Sequence, residues 1–130
     1  VLFRSQRMRE KMREWDKAIA PVQGKPLIAH HNTWAYFARR FRLNFVATIE
    51  LRPGVPPTPS HLAGLKKLMQ KQTLTVIVRQ PHEPATHAEF LARQGGAKLV
   101  VLAASVGALP QAGDYIALFD YNIAALVQAF

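Results

Sequence analysis

The chain has 130 residues, 17 lysines and arginines against 8 aspartates and glutamates, and no cysteine. That length is one domain's worth, and with roughly half of the residues hydrophobic it can bury a core, which sets aside an intrinsically disordered chain. Without cysteine there is no disulfide, thiolate metal site or Cys nucleophile, so any metal falls to His, Asp and Glu. The formal charge of +9 is of the kind that meets nucleic acid or an anionic membrane.

The first segment carries six of the basic residues: Arg4, Arg7, Arg9, Lys11, Arg13 and Lys17. Met8, Met12, Trp15 and Ile19 recur at helical spacing beside them and form one narrow apolar stripe. A long helix that touches its neighbour along a seam, with a solvated basic face, is predicted. The stripe is slim for a helix buried within one domain, so this helix is expected to protrude with part of its surface awaiting a partner. Pro21 to Gly24 stops it.

Leu27 to His30 then reads as strand one, and His31-Asn32-Thr33 as a turn whose Asn-Thr can cap a helix. That helix runs to about Arg42 and puts Trp34, Phe37 and Phe41 on one face. Asn44 to Glu50 is strand two. The loop Pro53 to Pro59 holds four prolines, which suit a fixed loop path and not a sheet interior. Thr58 caps the next helix with Pro59 at its first position, and Leu62, Leu65 and Met69 form its buried stripe.

Strand three is Leu74 to Val78, apolar throughout as a strand covered on both faces should be. After the turn Pro81-His82-Glu83-Pro84, Thr86-His87-Ala88-Glu89 reads as a capping box for a helix that ends at Gly95-Gly96. Leu99 to Ala103 is strand four. The last helix, Tyr115 to Phe130, aligns Ile116, Phe119, Ile123, Leu126, Val127 and Phe130. Strands that alternate with helices, each strand a continuous apolar run, mean an α/β fold with a four-stranded parallel sheet flanked by helices. Strand order is not legible from periodicity.

In such a sheet, ligands collect beyond the carboxyl ends of the strands. The pair His30-His31 stands there, and so does Glu50 at the end of strand two. The pleat sends adjacent residues to opposite faces, so one histidine of the pair faces the crevice and the other packs or bonds within the domain. Glu50 is a candidate hydrogen-bond partner for a ligating histidine, and His82 either shapes the same crevice or is solvated. His61 and His87 fall in the first turns of helices, where exposure is expected. Asp114 reads as an N-cap of the last helix, and Asp120 as a partner for a basic side chain.

The segment His31-Asn32-Thr33-Trp34-Ala35-Tyr36-Phe37 resembles the His-x-x-aromatic-x-Tyr-Phe motif of the C-terminal lobe of the metal-binding (zinc/manganese) solute-binding proteins of ABC importers. Thr48-Ile49-Glu50 with Pro53-Gly54-Val55, Ser60-His61-Leu62 to Leu65, Gly96-Ala97-Lys98, and Gly113-Asp114-Tyr115 with Asn122 follow in the family's order. The resemblance runs from about Met8 to the C-terminus. It implies a Rossmann-like lobe over residues 21–130, with residues 1–20 part of a helix that joins two lobes. It further implies His31 as a metal ligand, with His30 the alternative, and a loop aspartate. Asp114 is the expected aspartate and Asp120 the alternative, although Asp114 precedes Tyr115 directly where the family spaces the two by one more residue. Where many members carry Glu-Pro after strand three, this chain has Gln80-Pro81.

The function so implied is the substrate-binding component of a metal importer. It would capture zinc or manganese between two lobes and deliver it to a membrane permease, in the periplasm or otherwise outside the cytoplasm, as a monomer without catalysis and without nucleic acid. The remaining ligands would come from an N-terminal lobe. No signal peptide is visible, and a first residue other than Met leads us to expect a fragment. Two further readings rest on the residues alone. One is a basic domain binding nucleic acid or an anionic surface. The other is a metal-dependent hydrolase built on His31, although Gly-x-Ser-x-Gly, His-Glu-x-x-His and Walker patterns are all missing.

Overall fold

The computed structural model describes residues 2–130, with side chains from residue 5 onward; the Arg4 side chain counted above lies outside the described residues. Five helices and four strands alternate: α1 (Leu2–Ile19), β1 (Pro26–Ala29), α2 (Ala35–Phe41), β2 (Asn44–Thr48), α3 (Pro59–Gln72), β3 (Val76–Arg79), α4 (Thr86–Gly95), β4 (Lys98–Val101) and α5 (Tyr115–Ala129). A 3-10 turn, Ala20–Val22, ends α1 where Pro21 interrupts the helix. The sheet is wholly parallel in the order β2-β1-β3-β4.

Alternation along the strands makes two cores. Leu27, Ala29, Val76 and Val78 point to one face and pack with Trp15 and Ile19 of α1, Phe41 of α2, and Ile123 and Leu126 of α5. Ile28 and Ile77 point to the other and meet Leu65 and Met69 of α3 and Ala88 and Leu91 of α4. Both faces are therefore covered, which accounts for the unbroken apolar runs. Phe119 of α5 collects the aromatics of the first core, stacking on Trp15 at 4.9 Å and lying 5.9 Å from Phe41.

Along the α1 stripe, Trp15 and Ile19 are buried, Met8 is half-buried and Met12 remains 38% exposed. The seam is thus closed at its C-terminal end and open towards its N-terminal end. The helix starts divide. Thr58 caps α3 as expected, its hydroxyl accepting from the His61 N–H at 3.1 Å. No side chain caps α2, because the helix begins at Ala35 and its N-cap is Trp34, one residue past Thr33. Nor does the capping box at α4 form: the N-cap is Ala85, and Thr86 is already helical. Gly96 ends α4 in the left-handed region at φ 67°, as the paired glycines suggest.

In α5 the buried set is Leu118, Asn122, Ile123 and Leu126, while Phe130 is exposed. Asn122 is the polar member of this set. Its amide clamps the chain just beyond β4, accepting from Ala103 N–H at 2.9 Å and donating to Ala103 C=O at 2.7 Å. Among the described residues no helix is long and apolar enough to cross a membrane.

Candidate metal centre

The strand order reverses between β1 and β3. The chain leaves β1 towards α2 on one face of the sheet and leaves β3 towards α4 on the other, so the loops part and a crevice opens at their carboxyl ends. A cavity of about 530 Å³ occupies it, lined by His30, His31, Glu50, His82, Glu83 and His87, with prolines of the loops after β2 and β3. Four of the chain's five histidines share this one space.

His30 continues β1 by one residue. Its N–H donates to Val78 C=O at 2.8 Å, and its C=O accepts from Glu50 N–H at 2.8 Å. The ring is 1% exposed, with Nε2 3.3 Å from Glu50 Oε1, and neither ring nitrogen has a hydrogen-bond partner among the described residues. The buried ring thus stands against Glu50 on the crevice wall. His31 is half-buried and faces both this cavity and a second groove along Trp34, Ala38 and Phe45. Its Nδ1 is buried and unpartnered among the described residues.

Glu50 thus stands beside His30 and not His31. His82 is exposed at the rim, in a turn organised by Arg79, whose Nη1 donates to the carbonyls of Gln80, Pro81 and Glu83 at 2.9, 3.4 and 3.0 Å. Glu83 Oε1 accepts from Gln80 N–H at 2.6 Å. Gln80, where a family Glu was expected, is buried and donates from Nε2 to the Thr33 hydroxyl at 3.0 Å. That bond ties the loop after β3 to the loop after β1.

The two aspartates stand away from the histidine crevice. Asp114 is exposed, accepts from Ala117 N–H at 2.8 Å as the N-cap of α5, and is not among the residues that line the histidine crevice. Four free amides at a helix start are a strong claim on a carboxylate that directly precedes it. Asp120 lies on the α1–α5 seam, accepting from Trp15 Nε1–H at 2.7 Å and pairing with Lys11 at 3.2 Å. His61 and His87 are both half-buried and not exposed. His87 lines the crevice, whereas His61 bonds Thr48 C=O. Spacing could not place either, because each depends on where a helix start meets a strand end. Among the described residues no three His, Asp or Glu side chains are grouped to hold a metal ion.

A family model described as the periplasmic component A of the zinc-uptake complex (ZnuA) matches residues 5–129. The chain is 26% identical over 125 residues to the zinc-binding protein AdcA of Streptococcus pyogenes serotype M6, which covers 90% of this chain and 24% of that protein. The crystal structure of ZnuA superposes with a TM-score of 0.78 at 22% identity, over 95% of this chain and 46% of that one. FpvC from Pseudomonas aeruginosa, in complex with Mn²⁺, superposes with a TM-score of 0.74 at 24% identity, over 95% and 47%. The chain therefore spans about a quarter of the length of the curated relatives it matches and about half of the solved chains.

Proposed function

Because the chain belongs to the family of the periplasmic zinc-uptake complex component A (ZnuA), we propose that it is the C-terminal metal-binding lobe of an importer's solute receptor. Residues 21–130 form the lobe, and residues 1–20 belong to the helix that joins it to an N-terminal lobe. The receptor captures zinc or manganese between the lobes outside the cytoplasm and hands it to an ABC permease in the membrane. The metal is cargo, and no chemical step is performed on it.

The observation that carries this reading is the gathering of four histidines and two glutamates in one crevice at the switch point of the sheet. Imidazole and carboxylate are the donors that zinc and manganese share. His31 supplies the ligand from this lobe, from a position where one nitrogen is sheltered and the ring still faces the cavity. A closed zinc site wants about four protein ligands. Among the described residues no three His, Asp or Glu side chains are grouped to hold an ion, so the remaining donors are assigned to the opposing lobe.

The test is calorimetric titration of the complete receptor with zinc and with manganese. Wild type should bind tightly and His31→Ala should lose most of that affinity, while this lobe alone binds weakly. His30→Ala, which keeps the main-chain bond from Glu50, should leave affinity nearly intact and act on stability. Equal affinity in wild type and His31→Ala would overturn the site.

A further inference from the structure

We infer that His61, on the first turn of α3, is a positioning residue for this metal site, acting from outside the crevice through the carboxyl end of β2. The inference rests on the reading of the crevice as the cargo site and adds a residue that does not line it.

The path is continuous. His61 Nε2–H donates to Thr48 C=O at 2.8 Å. The Thr48 hydroxyl donates to Glu50 C=O at 2.9 Å, and Glu50 N–H donates to His30 C=O at 2.8 Å. Glu50 Oε1 meanwhile lies 3.3 Å from His30 Nε2. Three successive bonds thus run from α3 to the peptide that immediately precedes His31, and a carboxylate of the crevice hangs from the middle link.

The end of β2 is where this support acts. Main-chain bonds from Ile49 N–H to Ala29 C=O and from Glu50 N–H to His30 C=O carry the pairing with β1 two residues past Thr48, after which the chain enters the loop of Pro53 and Gly54. A helix-borne ring is a stiff brace for this last stretch, because α3 is itself pinned at its start by the Thr58 cap on His61 N–H. The one histidine outside the crevice wall therefore fixes its floor. Ligand-orienting groups of this kind typically change metal affinity by about 10–100-fold when removed. Acting one bond further back, His61 is expected at the low end of that range.

The experiment compares His61→Ala, His61→Gln and Thr48→Val in the complete receptor, by zinc competition against a chelator and by amide NMR without metal. His61→Ala and Thr48→Val should each weaken zinc about tenfold and shift the amides of Glu50, His30 and His31. His61→Gln, whose amide nitrogen stands as many bonds from Cβ as Nε2 does, should restore most of both. Ile123→Val, packed in the core on the opposite face of the sheet, controls for lost stability and should lower the melting temperature without moving affinity. Wild-type affinity in His61→Ala, or amide shifts confined to α3, would overturn the inference. A wild-type receptor that binds no metal would instead defeat the transport reading, and the metal-free amide shifts would still decide the positioning role.

Discussion

Trp15 donates its indole N–H to the Asp120 carboxylate at 2.7 Å, and the same ring stacks on Phe119 one residue earlier in α5. One side chain thus fixes α1 to α5 by an apolar face and a polar edge together. Trp15→Phe should keep part of the stacking and lose the donor, lowering stability by about 1–3 kcal/mol in a denaturant melt. Asp120→Asn should be milder, and neither should change zinc affinity, because Asp120 is committed to the seam.

Lys11 gives the seam a pH dependence. Hydrogen bonds first to Glu14 and then to Asp120 hold its ammonium above the ordinary value of 10.5. A raised value in the folded state means that Lys11 stabilises the fold fully below the unfolded value and loses that contribution as pH rises through the folded one. The melting temperatures of wild type and Lys11→Met should therefore differ by a constant amount near neutrality and converge in strongly alkaline buffer.

Asn122 meets both main-chain groups of Ala103 from a buried position. Asn122→Leu fills the space but leaves an N–H and a C=O without partners, which should cost about 2–6 kcal/mol at about 1–3 kcal/mol for each group. Urea unfolding would measure it, and a loss below about 0.5 kcal/mol would contradict the clamp.

Thr73 ends α3 with φ 51°, in the left-handed region that a β-branched residue adopts at a cost. Thr73→Gly should raise stability by about 1 kcal/mol, less the entropy that glycine adds to the unfolded chain. A lower melting temperature for the glycine variant would argue against strain at this position.

The sheet was legible because its strands are apolar on both faces: Leu27 to Ala29 and Val76 to Val78 could not serve a surface. Thr58 was legible as a cap because proline follows it. Thr33 and Thr86 looked equally suited, but each helix starts at another residue than the pattern suggests. The N-cap of α2 is Trp34, and the Thr33 hydroxyl accepts instead from Gln80, 47 residues away, while Thr86 lies inside a helix that begins at the residue after Ala85. The site followed the same division. His30, His31 and Glu50 could be placed at strand ends by counting, but the pairing of Glu50 with His30, the place of His87 on the crevice wall and the bond of His61 to Thr48 depend on how three loops meet. Asp114 showed the converse, a residue whose local helix-cap pattern outweighed the motif around it.

Arg79 folds the turn after β3 around its own guanidinium, and Gln80 fastens that turn to Thr33. A rim wound on an internal peg has already surrendered the freedom that a loose lid gives up when it shuts. Little ordering entropy is then left to offset when a cation arrives. Under the proposed transport reading, this half would act as an anvil, and the tempo of capture would pass to whatever swings towards it.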